Sequence, residues 1–172
     1  EEILVTGRHE ADLTVPNGTA SRLNLSPLET PATLSVIDGA TIRARGDMAI
    51  ADAESRAPGI TSVGNLGNGG TALAARGFSG QGSVLQLIDG VRLFPAAGTL
   101  TFPTDPWMVE RIDILSGPAS VLYGQGALGG AVNVLMRKPN TKRTEIDGEI
   151  GYGSQDTFHV AAGAGGPAGE HL

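Results

Sequence analysis

The sequence predicts an α+β fold: a small mixed β-sheet with short helices, then one or two strands of a different character. Three observations carry this. Apolar β-prone runs and short helical segments follow the order strand–helix–helix–strands–turn–strand–strand, which points to α+β. Glycine (26) and proline (10), about a fifth of the 172 residues, place turns throughout, below the level of disordered low-complexity chains. Beyond residue 139 the texture changes to strict alternation of apolar and polar residues, the period of a strand with two unlike faces.

The elements are read in order. Residues 1–7, EEILVTG, form a short β-prone patch behind two acids, and residues 8–30 show no sustained period and are read as a flexible linker. A compact region starts near residue 31. Residues 32–37 (ATLSVI) read as a strand, and Asp38 is placed to cap a short helix over 39–45. Residues 47–57 read as a second helix, capped by Asp47 and stopped before Pro58-Gly59. Strands are expected at 60–66, 72–76 and 84–89, with Gly-rich loops at 64–70 and 79–82 between them. Asp89-Gly90 is a strong turn signal because both positions tolerate positive φ. A Pro/Gly loop with two phenylalanines covers 93–105, and Asp105-Pro106 opens a helical turn through Trp107-Met108. A strand at 110–115, a short helix at 118–122 and an apolar strand at 131–135 complete the region. In 144–153 the apolar set Ile146, Gly148, Ile150 and Tyr152 alternates with Glu145, Asp147, Glu149 and Gly151, and 158–165 repeats the pattern more weakly.

Composition excludes several classes. The length allows one domain with a sizeable core. A net charge of −6 argues against non-specific nucleic-acid binding. There is no cysteine, hence no disulfide or thiolate metal site. No run approaches the roughly 18 apolar residues of a transmembrane helix. The first residues lack a basic start and an apolar stretch, so the N-terminus reads as a mature or trimmed end.

No catalytic constellation emerges. His9, His159 and His171 are scattered without zinc spacing. Ser116 and Ser120 lack a nucleophile-elbow context. Gly124, Gly126 and Gly129 spell a dinucleotide fingerprint. That fingerprint requires a strand before it and a helix after it, whereas here a helix precedes and a β-prone run follows. Neither an enzyme nor a metal or organic cofactor is expected.

The most informative stretch is residues 109–139, VERIDILSGPASVLYGQGALGGAVNVLMRKP. It closely resembles the signature of the plug domain of TonB-dependent outer-membrane receptors. Supporting elements are Arg76-Gly77-Phe78, the Asp89-Gly90-Val91 hairpin, and Pro106-Trp107-Met108-Val109-Glu110-Arg111-Ile112, whose form is most similar to receptors for ferric siderophores. The resemblance covers 1–7 loosely, 31–139 well, and 140–166 as first barrel strands.

The resemblance implies three regions: a TonB box and linker over 1–30, a plug over 31–139, and over 140–172 the first strand and part of the second of a truncated outer-membrane β-barrel. It implies that Ile3, Leu4, Val5, Thr6 and Gly7 pair as an extended segment with the periplasmic protein TonB, a β-augmentation for which Ile3, Val5 and Thr6 supply the propensity. It implies ligand contact by Arg76, through its fork of donors, and by Phe94 and Phe102 of the 93–105 loop. Phe78 is assigned either to the ligand or, preferably, to the plug core. Glu110 and Arg111 are expected to lock plug to barrel wall; the competing reading is a solvated ion pair of little energetic weight. The implied ligand is a ferric siderophore, with vitamin B12, haem and sugars as alternatives, and the implied location is the outer membrane of a Gram-negative bacterium.

The chain departs from the family pattern at Glu54 and Ser55, where an apolar residue is usual at the first of the two, so that helix is expected to pack less firmly. A complete barrel of about 22 strands needs several hundred more residues, so the chain is read as a fragment or the product of a truncated gene. Two other readings stay open: a free-standing, soluble plug-like module that captures ligand, and an α/β enzyme using the Gly-rich loop.

Overall fold

A computed structural model describes residues 14, 16–21, 23, 25–63, 73–79, 83–92, 104–154 and 156–167. The elements are β1 (Thr33–Asp38), α1 (Gly39–Arg45), α2 (Ile50–Ser55), β2 (Ile60–Ser62), β3 (Leu73–Ala75), β4 (Val84–Ile88), β5 (Val91–Arg92), a 3-10 turn (Pro106–Met108), β6 (Val109–Ser116), α3 (Ser120–Tyr123), β7 (Gly130–Met136), β8 (Glu145–Tyr152) and β9 (Phe158–Gly165).

Five strands form one mixed sheet in the order β1-β6-β7-β4-β5. Its pairs are antiparallel except β4 with β7, which run parallel from Val84 beside Gly130 to Ile88 beside Val134. β6 and β7 lie in the middle and are buried on both faces, which is why they read as nearly continuous apolar runs. Alternation sorts their side chains. Ile112 and Ile114 of β6 lie beside Val134 and Val132 of β7. Together with Ile37, Ile42, Ala53, Ile60 and Leu73 they form one core cluster, so α1, α2 and the β2–β3 pair cover that face. On the other face Leu115 and Ala131, with Leu85 and Leu87 of β4, pack with Ala20, Ala119 and Ala127. Burying each of the large aliphatic side chains contributes about 1.5–3 kcal/mol.

α1 starts as its sequence directs: Asp38 accepts a hydrogen bond from the Thr41 amide at 2.7 Å, satisfying one of the orphan donors of the first turn. α2 is shorter than its sequence suggests. It begins at Ile50 behind Ala49, which offers no capping side chain. Asp47 does not cap it. Its side chain is buried and pairs with Arg56, with Oδ1 2.6 Å from Nη2, and Oδ2 has no hydrogen-bond partner among the described residues. A carboxylate offered both a loose cap and a guanidinium takes the charge-assisted partner. Glu54, where looser packing was expected, is itself buried at 2 % exposure beside the fully buried Ala53.

The Asp89-Gly90 turn forms as anticipated, with both residues at positive φ (48° and 79°). The expected strand over 60–66 is confirmed from Ile60 to Ser62, and residues 64–70 lie outside the described residues. The linker expected over 8–30 differs from what is found in its described part. Asn17, Thr19, Ala20, Ser21, Ser26 and Thr30 are buried. This stretch packs through polar groups rather than an apolar stripe, so its sequence carries no period that would reveal it.

β8 and β9 pair antiparallel along their whole length as a separate two-stranded sheet. Their apolar residues face outward: Ile146, Ile150 and Tyr152 of β8 and Phe158 and Val160 of β9 are all exposed, Ile146 at 82 %. In register, Ile150 faces Val160 and Tyr152 faces Phe158. The acids Glu145, Asp147 and Glu149 occupy the half-buried inner face. No described helix is long and apolar enough to cross a membrane, which says nothing about strands.

Candidate functional site at the two ends of the sheet

β6 ends, and β4 and β7 begin, at one end of the central sheet. Arg76-Gly77 lies there. Both residues have positive φ (51° and 84°), and Ala75 and Phe78 exchange backbone hydrogen bonds of 3.0 and 2.9 Å across them. The pair therefore closes a tight turn after β3, of the kind whose twist suits a hairpin. Arg76 and Phe78 are exposed on it, and the Arg76 guanidinium lies beside Gly117, 3.7 Å from where a Cβ would stand. Phe78 is 49 % exposed, which corrects its preferred assignment to the plug core: the turn swings it out of the sheet. Phe94 and Phe102, and likewise Ile3, Leu4, Val5, Thr6 and Gly7, lie outside the described residues.

The opposite end is built around the single tryptophan. Asp105 accepts from the Trp107 amide at 2.9 Å and starts the 3-10 turn. The Trp107 ring has two guanidinium groups near it, Arg137 at 5.2 Å and Arg43 at 5.8 Å from its centroid, within reach of cation–π attraction. Arg137 also donates to Asp147 Oδ1 at 2.8 Å, and that hydrogen bond raises the guanidinium above its ordinary pKa. Gly163 pairs with Asp147 across the β8–β9 hairpin. A Cβ there would stand 3.9 Å from Trp107 Nε1, so a small residue allows the close approach. Arg43, Trp107, Arg137 and Asp147 thus join the sheet to the hairpin.

Glu110 and Arg111 sit nearby with different surroundings. The β6–β7 register slips between Val109 and Arg111. Such an irregularity re-aims side chains, and Glu110 is exposed. Arg111 reaches Asp113 two residues along its own strand, Nε to Oδ1 3.2 Å. Sequence reasoning missed the Trp107 cluster. The available signals were a lone tryptophan and the basic Arg137-Lys138 step just ahead of the alternating strands.

The Gly-rich loop precedes β7, and α3 stands before it. No helix N-terminus follows to receive a phosphate, so the fingerprint is incidental. Among the described residues no group of three or more His, Cys, Asp or Glu side chains could hold a metal ion.

A mixed five-stranded sheet with short helices is the arrangement of a receptor plug. The chain belongs to the family of TonB-dependent receptor plug domains, whose model matches residues 26–131. Among its relatives, the hemin receptor of Yersinia pestis is 39% identical over 127 residues, 73% of this chain and 18% of that protein. The ferrioxamine B receptor of Salmonella typhimurium is 32% identical over 123 residues, 70% of this chain and 17% of that protein. The structure of the pyoverdine outer-membrane receptor of Pseudomonas aeruginosa PAO1 bound to pyoverdine superimposes with a TM-score of 0.77 at 28% identity, covering 95% of this chain and 24% of that one. The chain spans about a fifth of the length of the curated relatives it matches. The family is one of transport receptors.

Proposed function

We propose that this chain is the plug of a Gram-negative outer-membrane receptor that imports a ferric siderophore, with energy relayed by TonB. The observation that carries this reading is the β8–β9 hairpin. Its exposed face is uniformly apolar, its acids face the plug, and two aromatics, Tyr152 and Phe158, sit at its tip. That is the alternation of an outer-membrane barrel strand, lipid-facing apolar residues against a polar interior, with aromatics at the interface. Residues 140–172 then start the barrel, residues 31–139 close it, and residues 1–30 hold the TonB box and its connection.

In this reading Ile3, Leu4, Val5, Thr6 and Gly7 add as a strand to TonB. Arg76 and Phe78, exposed at one end of the sheet, contact the ligand together with Phe94 and Phe102. Glu110 and Arg111 belong to the polar contact between plug and wall, beside the Arg137–Asp147 pair. Similarity to ferrioxamine and pyoverdine receptors supports a siderophore. Similarity to a hemin receptor at 39% identity favours haem as the second reading.

The test is deletion of residues 1–7 in the cells that carry this gene. Uptake of radiolabelled iron–siderophore should be lost while binding at the cell surface persists. Uptake that survives the deletion would rule out the TonB box. Growth on hemin but on no siderophore would select the second ligand.

A further inference from the structure

The segment 16–21 is held onto the sheet by a buried polar network, and we infer that it is a separately releasable clasp centred on Thr19. Thr19 is 2 % exposed. Its hydroxyl donates to Asp113 Oδ2 at 2.8 Å and accepts from Asn133 Nδ2 at 2.9 Å. Asp113 and Asn133 are direct cross-strand partners in the middle of the sheet. Both are buried, Asp113 completely. Thr19 thus bridges a polar pair set beside Leu115, Ala131 and Leu87, and Arg111 holds the other oxygen of Asp113 at 3.2 Å. The segment is fastened at one more point, where Tyr123 donates to the Thr19 carbonyl at 2.6 Å. Within the segment, Asn17 Oδ1 accepts from the Thr19 amide at 2.8 Å. On its far side Asn133 Oδ1 accepts from the Gly90 amide at 2.9 Å, so the network also reaches the β4–β5 turn.

The chemistry makes this attachment reversible. Ala20 is the one apolar side chain of 16–21 that joins a core cluster. The rest of the attachment is hydrogen bonds, which exchange for water bonds at modest net cost. When the segment lifts, the Asp113 and Asn133 groups rehydrate, whereas separating β6 from β7 would expose the aliphatic cluster of the opposite face with nothing to compensate. Regions with few buried apolar contacts open first. The clasp therefore opens without the sheet. Traction arriving from residues 3–7 meets the clasp before β1. That use in uptake rests on the proposed function; the clasp itself does not.

The chain has no cysteine, so single thiols report opening in the whole chain. Ala20→Cys places one on the buried side of the clasp itself, and Val132→Cys places one on the opposite face of β7. Ala20→Cys should react with a thiol reagent faster than Val132→Cys. Adding Thr19→Val, which keeps the side-chain shape but removes the bridge, should speed Ala20→Cys by about tenfold or more and leave Val132→Cys unchanged. Equal rates at both thiols would overturn the clasp, because the segment would then open only with the sheet. Equal acceleration at both would overturn it likewise, and an unchanged Ala20→Cys rate would show that Thr19 does not hold the segment. Labelling reads the clasp whether or not iron uptake is the function, so the two readings fail separately.

Discussion

Glu54 occupies a site its chemistry does not suit. It lies buried on α2, and burial pushes its carboxyl up to about 8 from an ordinary 4.5. The folded state therefore holds a proton that the unfolded chain releases over that interval. The resulting stability is fully present below pH 4.5, falls as pH rises toward about 8, and is flat beyond. The slope is at most roughly 1.4 kcal/mol per pH unit. Glu54→Gln should remove this dependence: urea midpoints of the parent should fall between pH 5 and pH 8, and those of the variant should not. Parallel profiles would mean that Glu54 is ionised in the folded chain. Gly130 shows the opposite case, a residue its site demands. Its φ is 151°, and an added Cβ would collide with the Leu115 carbonyl oxygen of β6. Only a residue without a side chain brings β7 in beside β6 at that point.

Among the elements, α2 begins at a residue without a capping group, since Asp47 is committed to Arg56. Ala49→Asp supplies the missing acceptor at the N-cap and should stabilise the chain by about 0.5–2 kcal/mol, read as a raised denaturation midpoint. Asp47→Asn, two residues earlier, should lower it, because it weakens the charge-assisted pair with Arg56. The β8–β9 hairpin makes a prediction of another kind. Its outward face is a contiguous apolar surface, larger in character than the scattered apolar residues ordinary surfaces carry. The chain should co-elute with detergent micelles, and the double variant Ile146→Asp with Ile150→Asp should lose most of that association while the plug keeps its denaturation midpoint. Undiminished association would place the detergent-binding surface elsewhere.

For the molecule as a whole, stability rests on the central pair β6 and β7 and on what covers each of its faces. Ile114 is fully buried between the sheet and its helices. Ile114→Ala should cost about 2–5 kcal/mol, with the loss appearing equally by fluorescence of Trp107 and by circular dichroism if the plug unfolds as one unit. The two ends of the sheet differ in surroundings: Arg76 and Phe78 are exposed at one, and the Trp107 cluster joins the hairpin at the other.

What could be read from the sequence was local. The Asp38 cap, the Asp89-Gly90 turn, the 3-10 turn at Pro106 and the strands β6 to β9 came within a residue or two of their observed bounds, because each follows from neighbours along the chain: a side-chain acceptor before a helix, a turn pair, a period of two. The family too was legible there, since its motifs are runs of adjacent residues. What only tertiary structure decided depends on partners far along the chain. Thr19 and Asp113 are 94 positions apart, so the docking of the presumed linker left no trace in local pattern. The burial of Glu54 and the seat of Trp107 beside Arg137 are of the same kind. A polar residue looks solvated in sequence until the fold brings it the one partner that makes its burial tolerable.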